Sequence, residues 1–219
     1  MTLAASLPST AVGRLIHGPD CLVEGAAWLA GREPRFAAAL AETGPLPLRL
    51  RPDGFAPLLS AIVSQQVSVA SAAAIWGRIE AAGLDRPDGV VAAGEDGLRA
   101  VGLSRQKIRY ALALAGAGLD YDALRDAPTG EVITRLTAVP GIGVWTAEVY
   151  AMFSLGRADV FAPGDLALQE SARLLFGLDD RPRERAFRTM AEDWSPWRSV
   201  AARILWAYYR VAKNREGIT

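Results

Sequence analysis

Residues 129–147 read TGEVITRLTAVPGIGVWTA, and the fold of the chain turns on them. Thr129 is placed to cap a helix whose apolar positions Val132, Ile133 and Leu136 share one face. The run Val139-Pro140-Gly141-Ile142-Gly143 cannot continue that helix. Pro140 lacks an amide hydrogen and turns Val139 away from helical angles, and the two glycines permit positive φ. A second helix is predicted from Val144, with Val144, Ala147, Ala151 and Leu155 at helical spacing. Two antiparallel helices around such a turn leave the amides of Ile142, Gly143 and Val144 pointing out from a helix N-terminus. An anion such as a DNA phosphate is favoured there. An ordinary αα-hairpin fits the same spacing.

Working outward, Phe161-Ala162-Pro163-Gly164-Asp165 leads into a helix carrying Leu168, Ala172, Leu175 and Phe176. By residue type alone Asp165 is a helix N-cap. Upstream, Asp53 is placed to cap a helix with Phe55, Leu58, Leu59, Ile62, Val63 and Val67 on one stripe. Gln66 falls on that stripe, an awkward place for a core amide. Either the helix breaks there and Ser68 caps a new one, or Gln66 is buried with partners. Ala72, Ala73, Trp76 and Ile79 continue helically until Gly83, and residues 85–94 read as a turn-rich connection. A helix at 98–101, a turn at Gly102 and a Ser104-capped helix follow, and residues 121–128 link to the hairpin. The last two helices span residues 183–194 and the stretch after Pro196, the latter packing Val200, Ala201, Ile204, Leu205 and Tyr208. Residues 1–50 are poorly patterned apart from a short helix at 35–42. No strand-rich stretch follows Phe55, so the expected class is all-α.

The 219 residues suffice for a sizeable core, and half of them are hydrophobic. No apolar run reaches the roughly 18 residues of a membrane span. The first 13 residues have neither a basic start nor an apolar stretch of signal-peptide type. A cytoplasmic protein is expected, nucleoid-associated if the source is bacterial. The single cysteine, Cys21, excludes an internal disulfide, a four-cysteine iron–sulfur cluster and a cysteine-based zinc site. Twenty-four basic residues balance 24 acidic ones, which argues against a general nucleic-acid binder but leaves room for a locally basic footprint. Arg198, Arg203, Arg210, Lys213 and Arg215 gather near the C-terminus. His17, the only histidine, reads as a surface residue.

Residues 136–168 resemble the helix-hairpin-helix, Gly/Pro-rich loop and aspartate of the HhH-GPD base-excision DNA glycosylase superfamily. Within it, PGIGVWTA at 140–147 and WSPWRS at 194–199 are similar to the DNA-3-methyladenine glycosylase II branch, and the resemblance runs from Phe55 to Trp206. It implies an all-α fold of two helical lobes with Asp165 in the cleft between them. Residues 1–50 are then an N-terminal extension packing on a glycosylase domain at 51–219, with the hairpin at 129–155. The β-rich lobe of the best-known relatives is expected to be absent or reduced, because the chain before Phe55 is too short to hold it complete.

The implied activity is a monofunctional DNA glycosylase. It flips alkylated purines of the 3-methyladenine and 7-methylguanine class out of double-stranded DNA and hydrolyses the N-glycosidic bond, leaving an abasic site. The sugar passes through an oxocarbenium-like cation, which requires a carboxylate facing C1′, and Asp165 matches the family's aspartate. Trp145 and Trp206 match pocket tryptophans whose faces attract cationic bases by stacking and cation–π contact. Val149 stands where some relatives have tyrosine, which opens the pocket, whereas Trp194, Trp197, Tyr150 and Phe153 are expected in the core. Strand-nicking relatives carry a Schiff-base lysine at the position of Trp145, so water is the expected nucleophile. Gln66 matches the side chain that fills the hole left by the extruded nucleotide, where some relatives have leucine. Gly141, Ile142, Gly143, Val144 and Thr146 are expected at the DNA. In the family, backbone carbonyls of the hairpin hold a monovalent cation; no other cofactor is required, and a monomer is expected. A glycosylase for another lesion, such as hypoxanthine or an oxidised base, is the near alternative. From another class, a non-catalytic helix-hairpin-helix DNA-binding protein would have no reason to keep Asp165, Trp145 and Trp206 together.

Overall fold

A computed structural model describes residues 12–215. Among them the chain forms twelve α-helices: α1 (Pro19–Arg32), α2 (Pro34–Thr43), α3 (Phe55–Ser64), α4 (Val69–Ala81), α5 (Pro87–Ala100), α6 (Arg105–Gly116), α7 (Tyr121–Asp126), α8 (Thr129–Thr137), α9 (Val144–Phe153), α10 (Leu166–Phe176), α11 (Glu184–Met190) and α12 (Arg198–Arg215). A 3₁₀ turn, Ala191–Trp194, precedes α12. Extended pairing among the described residues is limited to one antiparallel bridge, Leu15 with Arg157, so the all-α expectation holds. No helix among them is long and apolar enough to cross a membrane. The chain divides into two compact units, one formed by Arg51–Tyr150 with Val12, the other by Gly13–Leu50 with the chain from Ala151 onward. The division falls inside α9.

In the first unit, α3 buries Phe55, Leu58, Leu59, Ile62 and Val63, the stripe read from the sequence, against α4 and α6. The stripe ends there, and Val67 lies beyond the helix, exposed. Of the two alternatives at Gln66, the break is the one observed. Gln65 is extended, Gln66 turns to φ +56°, and Ser68 Oγ accepts from the amide of Ser71 at 3.2 Å to start α4. Asp53 does not cap α3. Gly54 holds the N-cap position and donates its amide to the Tyr150 hydroxyl at 2.8 Å, while Asp53 pairs with Arg125 at 2.9 Å. Two further expectations are corrected. Residues 87–94 are helical rather than turn-rich, because Pro87 occupies the first helical position, where its missing amide costs nothing, and Gly94 (φ 57°, ψ −163°) only kinks α5. Pro128, not Thr129, sits at the N-cap of α8.

In the second unit, α12 lies among α1, α2 and α10 and buries Val200, Ala201, Ile204 and Leu205. Trp194 is the hub of an aromatic cluster, with Phe36, Phe161, Phe176 and Phe187 centred 5.3–6.0 Å away. Each such ring removes a large apolar area from water, worth about 1.5–3 kcal/mol. Helix α1 was not legible, since Gly25 and Gly31 weaken its propensity. Gly25 serves packing: a Cβ there would lie 2.7 Å from Trp197 and 2.8 Å from Val200. Just before α1 the backbone runs beside residues 156–158, with Ile16 N bonded to Gly156 O at 2.7 Å and Ala158 N to Arg14 O at 3.0 Å.

Candidate functional site

Helix α8 ends at Thr137 and α9 begins at Val144, so six residues make the hairpin turn. Gly141 adopts φ +94°, and a Cβ there would fall 2.4 Å from Cγ of Tyr110; only glycine fits. Gly143 differs. Its φ is ordinary, a Cβ would meet nothing within 4 Å, and it faces solvent. The first glycine is required by the turn, whereas the second leaves space in front of the chain. Not all three amides expected to point outward do so. Ile142 N bonds Val139 O at 3.1 Å inside the turn, leaving the amides of Gly143 and Val144 at the helix start without an acceptor among the described residues. Ile142 and Thr146 are buried, so their side chains hold the turn from within, while Gly143, Val144 and Trp145 are exposed. Trp145 is 47% exposed, and Val149, half-buried, follows one turn later on the same face of α9.

Beside the hairpin, within the same unit, lies the loop between α3 and α4. Gln66 is exposed, and Gln65 Nε2 donates to Gly141 O at 2.9 Å. Lys107 Nζ donates to Val63 O at 2.6 Å, and desolvation lowers its pKa. Nothing local in the sequence marks Gln65 or Lys107 for these contacts, since both bonds join segments more than forty residues apart.

In the second unit, the buried run Phe161–Pro163 delivers Asp165 to the start of α10. The turn is closed by Asp165 N on Ala162 O at 3.0 Å and by Gln169 Nε2 on Pro163 O at 2.8 Å. Asp165 is the N-cap, and its Oδ1 accepts two bonds, from Leu168 N at 2.9 Å and from Trp206 Nε1 at 3.2 Å. The structure thus brings together two of the residues singled out in the sequence, through a contact that spacing could not foretell. Trp206 is half-buried and lies 5.7 Å from the Phe153 ring, tilted by 33°. The Arg203 guanidinium covers Phe153 at 4.6 Å. Arg203 is buried among neutral acceptors, the carbonyls of Ser199 and Leu48, and burial pushes its pKa down to about 10 with Arg49 adding repulsion. The C-terminal basic residues are therefore largely committed. Arg198 pairs with Asp159 at 2.6 Å and Lys213 with Glu170 at 3.8 Å, while the side chain of Arg215 lies outside the described residues. His17 is exposed, and Tyr150, Phe153, Trp194 and Trp197 are core, as expected. No cluster of three or more His, Cys, Asp or Glu able to hold a metal occurs among the described residues.

The family described as HhH-GPD superfamily base excision DNA repair protein matches residues 59–196, more than half of the chain. DNA-3-methyladenine glycosylase 1 of Schizosaccharomyces pombe is 30% identical over 164 residues, covering 71% of this chain and 72% of that protein. Among solved structures, a DNA-3-methyladenine glycosidase from Bacillus halodurans matches with a TM-score of 0.76 at 33% identity, over 90% of this chain and 91% of that one. A Schizosaccharomyces pombe 3-methyladenine DNA glycosylase in complex with abasic DNA matches with a TM-score of 0.73 at 28% identity, over 84% and 95%. The chain spans 44% of the length of a Bacillus subtilis relative to which it is 29% identical over 125 residues. The matched segment contains the Gln66 loop, the hairpin and the Asp165 cap, and the chain belongs to the HhH-GPD superfamily of base excision DNA repair proteins.

Proposed function

We propose that this chain is a monofunctional DNA glycosylase that acts as a monomer on double-stranded DNA, flips out alkylated purines of the 3-methyladenine and 7-methylguanine class, and leaves an abasic site. The observation that carries the reading is the fixed carboxylate. Asp165 Oδ1 is held by a helix-start amide and by the indole of Trp206, so an acid and an aromatic face are oriented together. In the reaction the C1′–N bond breaks and its electron pair leaves with the base. An N-alkylated purine is cationic and departs neutral, so little acid assistance is needed. Asp165 stabilises the sugar cation and orients water, whose oxygen bonds to C1′ as its proton passes by way of the carboxylate to bulk solvent. The exposed amides of Gly143 and Val144 bind a backbone phosphate, Gln66 occupies the vacated stack, and Trp145 and Trp206 stack on the cationic base. The carbonyls of Val139 and Gly141 each accept one hydrogen bond and keep a second lone pair, so the hairpin fits a monovalent cation that would add positive charge near that phosphate.

The test is incubation with duplexes carrying one 3-methyladenine, 7-methylguanine, hypoxanthine or 8-oxoguanine, followed by alkali. Alkali-dependent cleavage at the alkylpurines is expected. Nicking without alkali would contradict water as nucleophile, binding without cleavage would favour the non-catalytic reading, and cleavage confined to hypoxanthine or 8-oxoguanine would move the substrate class.

A further inference from the structure

We propose that Gln65 is a positioning residue that fastens the Gln66 loop to the hairpin, so that the backbone gripping phosphate and the side chain entering the duplex move as one unit. This rests on the glycosylase reading above and assigns a role to a residue that touches neither base nor sugar in it. Three observations converge. Gln66 holds φ +56°, a conformation that among the described residues only Arg49 shares without being glycine. Such a residue persists only where its surroundings over-determine it, and such strain gathers at functional sites. Here the surroundings are identifiable. Upstream, Lys107 Nζ ties down the last turn of α3 through Val63 O; downstream, Ser68 caps α4 through the Ser71 amide. Between them, Gln65 Nε2 reaches across 76 positions of sequence to Gly141 O at 2.9 Å. The acceptor sits in a tightly packed turn, because Gly141 adopts φ +94° and a Cβ on it would fall 2.4 Å from Cγ of Tyr110.

A donor on the residue just before an exposed, strained glutamine, aimed at the carbonyl one peptide before the exposed hairpin amides, sets the distance between two DNA contacts. Loss of the donor frees the loop to leave φ > 0, which spends binding energy on re-ordering Gln66 whenever DNA is engaged. The hairpin amides are untouched by that loss, so phosphate binding stays as it was.

The experiment is a double-mutant cycle of Gln65→Met and Gln66→Ala in the full chain. Met keeps the length of Gln and removes its donor. Affinity is measured for undamaged duplex and for duplex with a tetrahydrofuran abasic-site analogue. Gln65→Met should lower the preference for the abasic analogue about 3- to 10-fold, the range for one lost neutral hydrogen bond, with affinity for undamaged duplex unchanged. On a Gln66→Ala background it should cost nothing further. Gln65→Glu, which turns an acceptor toward Gly141 O, should show at least the same loss of preference, and it decides the matter if Gln65→Met folds poorly. Additive losses, or equal losses on both duplexes, would overturn the proposal and leave Gln65 an ordinary stabilising residue. If Gln66→Ala leaves the preference unchanged, the loop does not enter the duplex and the proposal falls, whatever excision the wild type shows. Failure of the wild type to excise alkylpurines would overturn the catalytic reading instead, and the cycle would still decide Gln65 by binding alone.

Discussion

Replacing Asp165 by Asn isolates charge from shape. Two hydrogen bonds to this side chain end on one oxygen, Oδ1, at 2.9 Å from Leu168 N and 3.2 Å from Trp206 Nε1. An asparagine oxygen can occupy the same place and accept both, and Asn is as good an N-cap as Asp. The bonds weaken from charge-assisted to neutral, which on a partly exposed side chain costs about 1 kcal/mol of stability in total. That is about 2–4 °C in Tm for a domain of this size. What vanishes is the negative charge that the proposed mechanism sets opposite the developing sugar cation. Removing one preorganised electrostatic partner costs on the order of 100- to 1,000-fold in rate, or about 2.7–4 kcal/mol. The catalytic loss thus exceeds the folding loss by enough to separate them. Single-turnover excision of 7-methylguanine, read by alkali cleavage, should fall by that factor while the melting curve barely moves. Asp165→Ala should match Asn in rate if charge alone matters. It should be slower still if holding Trp206 also matters, because Ala leaves the indole N–H without its acceptor. An Asn variant that excises at close to the wild-type rate would refute the argument and reduce Asp165 to a cap.

The two hairpin glycines should respond oppositely to substitution. Gly143→Val should keep the fold, since its Cβ meets nothing within 4 Å, yet weaken binding to damaged and undamaged duplex alike. Gly141→Ala should destabilise by about 2–4 kcal/mol in denaturant titrations, from left-handed backbone strain and the clash with Tyr110. Truncating Trp145 or Trp206 to Ala should cost more on cationic 3- or 7-methylpurine than on neutral hypoxanthine in excision assays; equal losses would show that they only support local structure. Burial pushes the hydroxyls of Tyr121 and Tyr150 up to about 12, so the folded state favours their neutral forms. Their contribution to stability is present in full below about pH 10 and disappears as pH rises through 12. An absorbance titration should therefore show Tyr121 and Tyr150 ionising late, together with alkaline unfolding.

The elements that position the site were legible where a local rule had one outcome. Pro140 with Gly141 could only end α8, whereas a polar Gln66 on an apolar stripe left two readings open, a break or a buried amide. Asp165 after Pro163-Gly164 was placed correctly as a cap because capping is decided within three residues. What stayed hidden depends on partners distant in sequence. Nothing near Asp53 says that it serves Arg125 and leaves Gly54 to Tyr150. Arg203 reads as a surface cation in a basic stretch, but its guanidinium is buried over Phe153. Helix α1 was missed because Gly25, a poor helix former, is selected by Trp197 and Val200 across the helix–helix contact.

The backbone pairing of residues 14–16 with 156–158 has a consequence for the order in which the protein is made. Residues 51–150 form a continuous stretch with its own core, and its contacts need nothing that follows residue 150. Residues 13–50 emerge earlier but pack with helices that follow residue 150, α12 above all. Helices α1 and α2 therefore wait, with Phe36 still lacking Phe176 and Trp194, until the helices after residue 150 arrive. Contacts spanning most of the chain are slow to close, and apolar surface left open in the interval invites aggregation. During synthesis the segment that needs shielding is α1–α2, and the emergence of α12 is the event that ends its exposure.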